Sequence, residues 1–457
     1  MTDMLGTAPF GVLLVGAAVL LVFDRVFRAD ERAQAWLAAA VALAAAATAV
    51  LVGTGDDPVS GSLRRDGATV FLTSLLCASA AAAFLLHAGV ADEAMPAARL
   101  AAMLIATAGA ALLVAAAQLL LLFVALEIVF MSVLTLIVGT SSSQTRNASR
   151  SFFVLCGSAS ALLAAGVGLV WSDSGSVAIG ALAAVSTPAG QAGIALVLVG
   201  LACFAGLAPL HFWLVPALTI GPAPAAAFIA VVPRVAAFAA LMRCASAISA
   251  TGGSAIDWRA CVAILAAASL VVGSVSALTE TSLRRMVGHL AVAYGGQIAV
   301  AVAAGVGASA AVSLALVGYA VVVVGLLAVV ALVRPTDARF GDLRGVARRR
   351  PLVVAALAVF AIGVAGLPPT IAFFARLAVF EGAVDARLAW LVAVASITSV
   401  IAAASGLRMV FACLESGKPR LSSDRVVTGV VALTALVALA GGIAPGPWLQ
   451  LAQTVRF

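Results

Sequence analysis

The chain has 457 residues, of which 64% are hydrophobic and only 10% charged, and its mean hydropathy is +1.19. A soluble globule needs a polar skin that this composition cannot supply, so the sequence reads as a polytopic membrane protein. The formal charge of +7 is spread through short connections between apolar blocks, with no single basic stripe or tail, which argues for membrane topology and against nucleic acid.

A span needs about 20 apolar residues to cross roughly 30 Å of hydrocarbon. Blocks of that kind recur fourteen times, near 5–23, 33–53, 67–88, 97–116, 118–139, 150–171, 190–211, 222–246, 257–278, 283–304, 308–333, 351–380, 387–411 and 427–445. The first lacks a basic leader and a small-residue cleavage pattern, so it is expected to stay as a span and not to be a removable signal. Residues 97–139 are apolar throughout and must be two helices, because one would be far longer than the bilayer is thick. With the N-terminus outside, alternate loops place eighteen Lys and Arg on the cytoplasmic side and six opposite, the remaining two being intramembrane. Both termini are then expected on the outer side of the cytoplasmic membrane. The six cysteines lie in or at the ends of apolar blocks without a C-x-x-C or a histidine cluster, so neither a metal site nor an iron–sulfur cluster is expected.

Two spans are interrupted. Gly206-Leu-Ala-Pro209 and Gly366-Leu-Pro-Pro369 share a G-L-x-P pattern, and paired breaks in corresponding halves are a pointer to a transport site. Freed backbone groups are tolerable at membrane depth only beside protein or a wet cavity. Arg234 and Arg376 lie inside apolar runs just beyond these breaks. A guanidinium does not give up its proton, so both are expected to set a field, with snorkelling to an interface as the alternative, stronger for Arg376. Glu127 is the one acidic residue in mid-span; an unpaired carboxylate there costs several kcal/mol, so it needs a partner, a cavity or a proton, and it marks an ion path or a structural cap. His211, just past the first break, and His289, near the start of the tenth block, carry the side chain suited to proton exchange near neutrality, or serve as hydrogen-bonded structural residues. His87 is expected at the membrane interface. Tyr294, Tyr319, Gln297, Thr281, Ser274 and Ser276 add polar groups to spans nine to eleven.

Four stretches resemble a known family: LEIVFMS at 126–132, GLAPLHFW through GPAPAAAFIAVVPRVAAF across 206–238, ALTETSLRRMVGHLAVAYGGQ at 277–297, and DLRGVARRRPLVVAALAVFAIGVAGLPPTIAFFARLAVF at 342–380. They are similar to the antiporter-like membrane subunits of respiratory complex I, which are akin to the large subunits of multisubunit cation/proton antiporters. The resemblance implies an all-α fold of about fourteen helices, with two inverted five-helix repeats and broken helices seven and twelve. The chain then divides into 1–96 (three N-terminal spans), 97–250 and 251–412 (the repeats), and 413–457 (a C-terminal helix).

By the same resemblance, Glu127 stands at the family's fifth-helix glutamate, while the family's lysines on helices seven, eight and twelve are Phe204, Arg234 and Arg376 here. Tyr294 takes a position where the family has histidine, and His289 one where tyrosine is usual. Arginine and phenylalanine cannot relay a proton as a buried lysine can. The implied function is a membrane-arm subunit of a complex I-type NADH-quinone oxidoreductase. It would carry a proton path through Glu127, Arg234, Arg376, His211 and His289, beside other membrane subunits and a quinone site that they hold. The alternatives are a non-pumping structural subunit with a degenerate relay, and a cation/proton antiporter subunit. No flavin, nucleotide or iron–sulfur signature is present, so no cofactor and no redox chemistry are expected on this chain.

Overall fold

The computed structural model describes residues 6–27, 30–55, 61–90, 95–138, 143–250, 257–333, 338–419, 421, 424–455 and 457. Arg28, Arg334, Arg420 and Arg456, used in the orientation argument, lie outside them, as do residue 5 of the first expected span and residue 251 at the expected repeat boundary. The chain is all-helical. In order the helices are α1 (Ala8–Phe27), α2 (Glu31–Val52), α3 (Gly67–Gly89), α4 (Ala97–Ala115), α5 (Leu119–Ile137), α6 (Ser143–Ser174), α7 (Pro188–Phe204), α8 (Leu214–Thr219), α9 (Ala223–Ser249) and α10 (Trp258–Thr279). Then follow α11 (Leu283–Ala304), α12 (Ser309–Leu332), α13 (Val346–Arg349), α14 (Pro351–Ala365), α15 (Ile371–Asp385), α16 (Ala389–Leu414), α17 (Arg425–Ile443) and α18 (Pro445–Gln453). Twelve helices among the described residues are long and apolar enough to cross a membrane, and α7 and α14 are shorter apolar helices.

The long apolar stretch does divide in two: Ala116 and Gln118 take extended backbone between α4 and α5. Isolated bridges pin the turns. Leu63 pairs with Ala116 and Gln118 with Ala178 at one end of the bundle, while Ser282 pairs with Arg339 and Val333 with Leu421 at the other. The twelfth span is two helices, α14 and α15, interrupted as expected. Two boundaries differ from expectation. The seventh span ends at Phe204, short of residue 211. α6 begins at Ser143, well before residue 150, because Gln144, Thr145, Arg146 and Asn147 extend it past its apolar part into the polar connection.

The core lies around α9, α11 and α12. Nearly every residue of these three is buried, whereas α1, α2 and α16 present rows of exposed apolar side chains such as Val22, Leu51, Val400 and Phe411. Lipid tails are as apolar as leucine, so packing among membrane helices depends on close fit and small residues. Two pairs show it: the Cα of Gly200 on α7 lies so near α6 that an added Cβ would sit 2.9 Å from the Ala159 carbonyl oxygen, and at Gly296 on α11 it would sit 2.8 Å from that of Ala266 on α10. These contacts fix α7 and α11, which carry the polar groups described next.

Candidate functional site

Both interruptions end their helix in the same way. Gly206 (φ +68°) and Gly366 (φ +63°) adopt left-handed backbone. The Gly206 N–H donates to the Cys203 carbonyl at 2.9 Å and the Leu207 N–H to that of Ala202 at 3.1 Å. Gly366 and Leu367 repeat this with Gly363 at 3.0 Å and Ile362 at 3.1 Å. This is the Schellman closure, which satisfies two terminal carbonyls and leaves others open. An X-Pro bond in each turn, Ala208-Pro209 and Pro368-Pro369, is cis. Beyond the first turn, the Ala208 N–H is taken up by Ser269 Oγ at 2.8 Å.

The open carbonyls are held by the two arginines. Arg234, in the middle of α9 and fully buried, donates from Nε to the Ala205 carbonyl at 2.8 Å and from Nη1 to that of Ala291 at 2.9 Å. Nη1 also reaches Tyr319 Oη, which in turn donates to the Ala230 carbonyl beside Pro233, where proline removes a helical donor. Arg376 on α15 donates to the Val364 carbonyl at 3.0 Å, to the Ala365 carbonyl, and to Gln297 Oε1 at 3.0 Å. Neither guanidinium makes an ion pair with a carboxylate among the described residues. Each charge sits against the negative end of a half-helix, where dipole and carbonyls together offset part of its burial cost. Arg376 therefore does not snorkel. Between the two cations, the rings of Tyr294 and Tyr319 lie 5.6 Å apart.

His211 and His289 share a cavity of about 1160 Å³, which runs from Ser282 and Arg339 at one end of the bundle to Pro209 at the break. His289 Nε2 is 3.3 Å from Glu280 Oε1, and Arg285 holds the same carboxylate at 2.9 Å. His211 is buried, and its Nδ1 has no hydrogen-bond partner among the described residues. The cavity wall also carries Asn147, Ser151, Arg284 and Arg285, polar enough to hold water.

Glu127 stands apart. It lies half-buried on the outward row of α5 with Leu120, Val124 and Met131, and accepts a hydrogen bond from Ser160 on α6. Inward of it is an aromatic cluster: Phe130 meets Phe152 at 5.4 Å and Phe204 at 6.1 Å, and Phe152 meets Trp213 at 5.3 Å. Phe204 belongs to this apolar cluster. His87 ends α3 as foreseen and is buried in the bundle, with neither ring nitrogen hydrogen-bonded among the described residues. One expectation is corrected. Arg243, counted among loop cations, is buried in α9 and grips Asp66 with both Nη1 and Nη2 at 2.7 Å.

Sequence reasoning named Tyr319 only as a polar group and missed Ser160 and Ser269. Nothing in the sequence distinguishes these hydroxyls from Thr107 or Ser79, which bond back to their own helices as Ser269 also does, to the Leu265 carbonyl at 2.6 Å.

Two interrupted helices, each closed over a buried cation in an all-helical membrane bundle, define the class: an antiporter-like membrane protein. Residues 116–402 match the family described as NADH:quinone oxidoreductase/Mrp antiporter, transmembrane, and the chain belongs to that family. It resembles NADH-quinone oxidoreductase subunit N of Acidothermus cellulolyticus, with 33% identity over 72% of this chain and 66% of that relative. The subunit N of Laribacter hongkongensis is 29% identical over 99% of this chain and 98% of its own. In structure the chain is similar to one of respiratory complex I from Thermus thermophilus, with a TM-score of 0.85, 26% identity, and coverage of 97% of this chain and 98% of that one.

Proposed function

We propose that this chain is a membrane-arm subunit of a complex I-type NADH-quinone oxidoreductase, in the place of subunit N, and that it contributes a proton access path coupled to quinone reduction elsewhere in the assembly. The observation that carries the path is the cavity joining the bundle end at Ser282 and Arg339 to His211 at the first break. Exchangeable groups line that route, which has room for water, and the fixed charge of Arg234 beyond it sets the potential that an arriving proton meets. The bundle end bearing Arg284, Arg285 and Arg339 is then cytoplasmic, with both termini outside. The two breaks belong to inverted five-helix repeats, whose matching terminations at Gly206 and Gly366 support that relation. The test is His211→Phe in the intact assembly. It is expected to lower the proton-to-electron ratio while assembly persists; an unchanged ratio removes the path from this cavity.

A second reading, a non-pumping architectural subunit, is favoured by the packing of Phe204 against Phe130, which puts an apolar layer between Glu127 and the interior. Phe204→Lys separates the two. If the path is latent, translocation rises in the variant. If the subunit is architectural, only stability falls, by about 3–5 kcal/mol for the lost aromatic packing.

A further inference from the structure

We propose that the small cavity beside Arg376 is a binding site for one monatomic anion of the halide class. The cavity measures about 20 Å³ and is lined by Ser274, Tyr294, Gln297, Arg376, Thr398 and Ser399. That is room for one particle of about the size of a water.

Three of the lining side chains carry a buried polar atom with no hydrogen-bond partner among the described residues: Arg376 Nε, Gln297 Nε2 and Tyr294 Oη. All three side chains are at least nine-tenths buried, Arg376 at 9% exposure being the least so. Each of these atoms can donate a hydrogen bond, and two can only donate. Gln297 Oε1 already receives Arg376 Nη2 at 3.0 Å. Thr398, on the α16 wall, commits its proton to the Val394 carbonyl at 2.8 Å. The remaining nitrogens of Arg376 are bound to the carbonyls of Val364 and Ala365. Glu381 and Asp385, further along α15, do not pair with it.

The site thus sets unmade donors beside a positive charge that no carboxylate among the described residues balances. Leaving such donors unmade costs roughly 1–3 kcal/mol each, and more where charge is involved. A water accepts from two of them but leaves the charge uncompensated. A halide accepts from all three and cancels it, which in a dry interior is the larger effect. The inference does not rest on protons crossing the chain, because occupancy is read without transport.

The experiment is anomalous diffraction from crystals of the full-length chain, alone or within its assembly, grown or soaked in bromide. The expected result is a bromide peak in contact with Arg376, Gln297 and Tyr294. Tyr294→Phe, which removes one donor and no charge, should raise the bromide concentration needed for half occupancy about tenfold, the size of one charge-assisted hydrogen bond. Gln297→Glu supplies an internal carboxylate for Arg376 and should empty the site while the fold persists. Density of water size with no anomalous signal in the parent chain overturns the proposal. So does a peak whose occupancy is the same in Gln297→Glu.

Discussion

A guanidinium and an ammonium differ most where they are buried, and this chain buries guanidinium at Arg234 and Arg376. The fork of Arg234 spans carbonyls from two helices, Ala205 on the turn after α7 and Ala291 on α11, which one ammonium could not do with the same geometry. These cations were legible in the sequence, because a charge in an apolar run stands out. Their partners were not, since a carbonyl has no letter of its own and Tyr319 could equally have packed as a plain aromatic. Arg243 was legible as a letter and misplaced, because its clamp on Asp66 depends on two segments 177 residues apart. Asp66 lies outside the spans, at the N-cap of α3, and accepts from the Thr69 N–H at 2.8 Å as well. Burial works to raise its pKa, but the hydrogen bonds and charge of Arg243 outweigh that and hold the carboxyl below its ordinary value. A depressed folded pKa means that the stabilisation is present above the unfolded value, near 4, and is lost as pH falls through the folded one. Asp66→Asn should therefore lower unfolding stability at neutral pH by about 3 kcal/mol, the low end for breaking a buried pair, because the Asp66 side chain is 30% exposed. Its denaturation midpoint should also depend less on pH below about 4 than that of the parent chain.

At the scale of elements, apolar length alone foretold the spans and the division of 97–139, and the paired G-L-x-P pattern foretold the breaks. Three short helices were hidden from that reading. α13 has only four residues, Val346–Arg349. α8 has six residues and contains Pro216, too few for a periodic signal, and α18 opens on Pro445-Gly446-Pro447, which reads as a loop. The breaks themselves depend on backbone that only glycine adopts freely. Gly366 has φ +63°, and a Cβ there would collide with the Arg376 guanidinium. Gly366→Ala is expected to cost about 1–2 kcal/mol for the left-handed conformation alone, with a further loss from pushing Arg376 off the carbonyls of Val364 and Ala365. Gly168 on α6 has nothing near the place of its Cβ, so Gly168→Ala should be neutral or gain up to about 1 kcal/mol of helix propensity. Thermal unfolding in detergent compares the two; equal effects would mean that the α14 terminus is not a tight cap.

For the whole molecule, the decisive feature is where the charges face. Arg234 and Arg376 point inward, and Glu127 lies on the outer row of α5 between Val124 and Met131, which are 45% and 51% exposed. The sequence could place Glu127 in mid-span but not on an inner or outer face, because in so uniformly apolar a helix every face reads alike. A lone hydroxyl from Ser160 does not satisfy a carboxylate with four acceptor sites, and hydrocarbon offers it nothing. A membrane subunit packed against α5 would meet this need if it brought a donor or cation to Glu127, which is the arrangement expected in the proposed assembly. Met131→Cys reports on the arrangement without touching the charge. In the intact assembly, its thiol should be shielded from a membrane-permeant maleimide by roughly tenfold or more, and become reactive when detergent separates the subunits. Glu127→Gln in the same assembly should weaken that contact and raise labelling at residue 131. A thiol that reacts equally fast before and after dissociation would mean that α5 faces lipid, with Glu127 held by Ser160 alone.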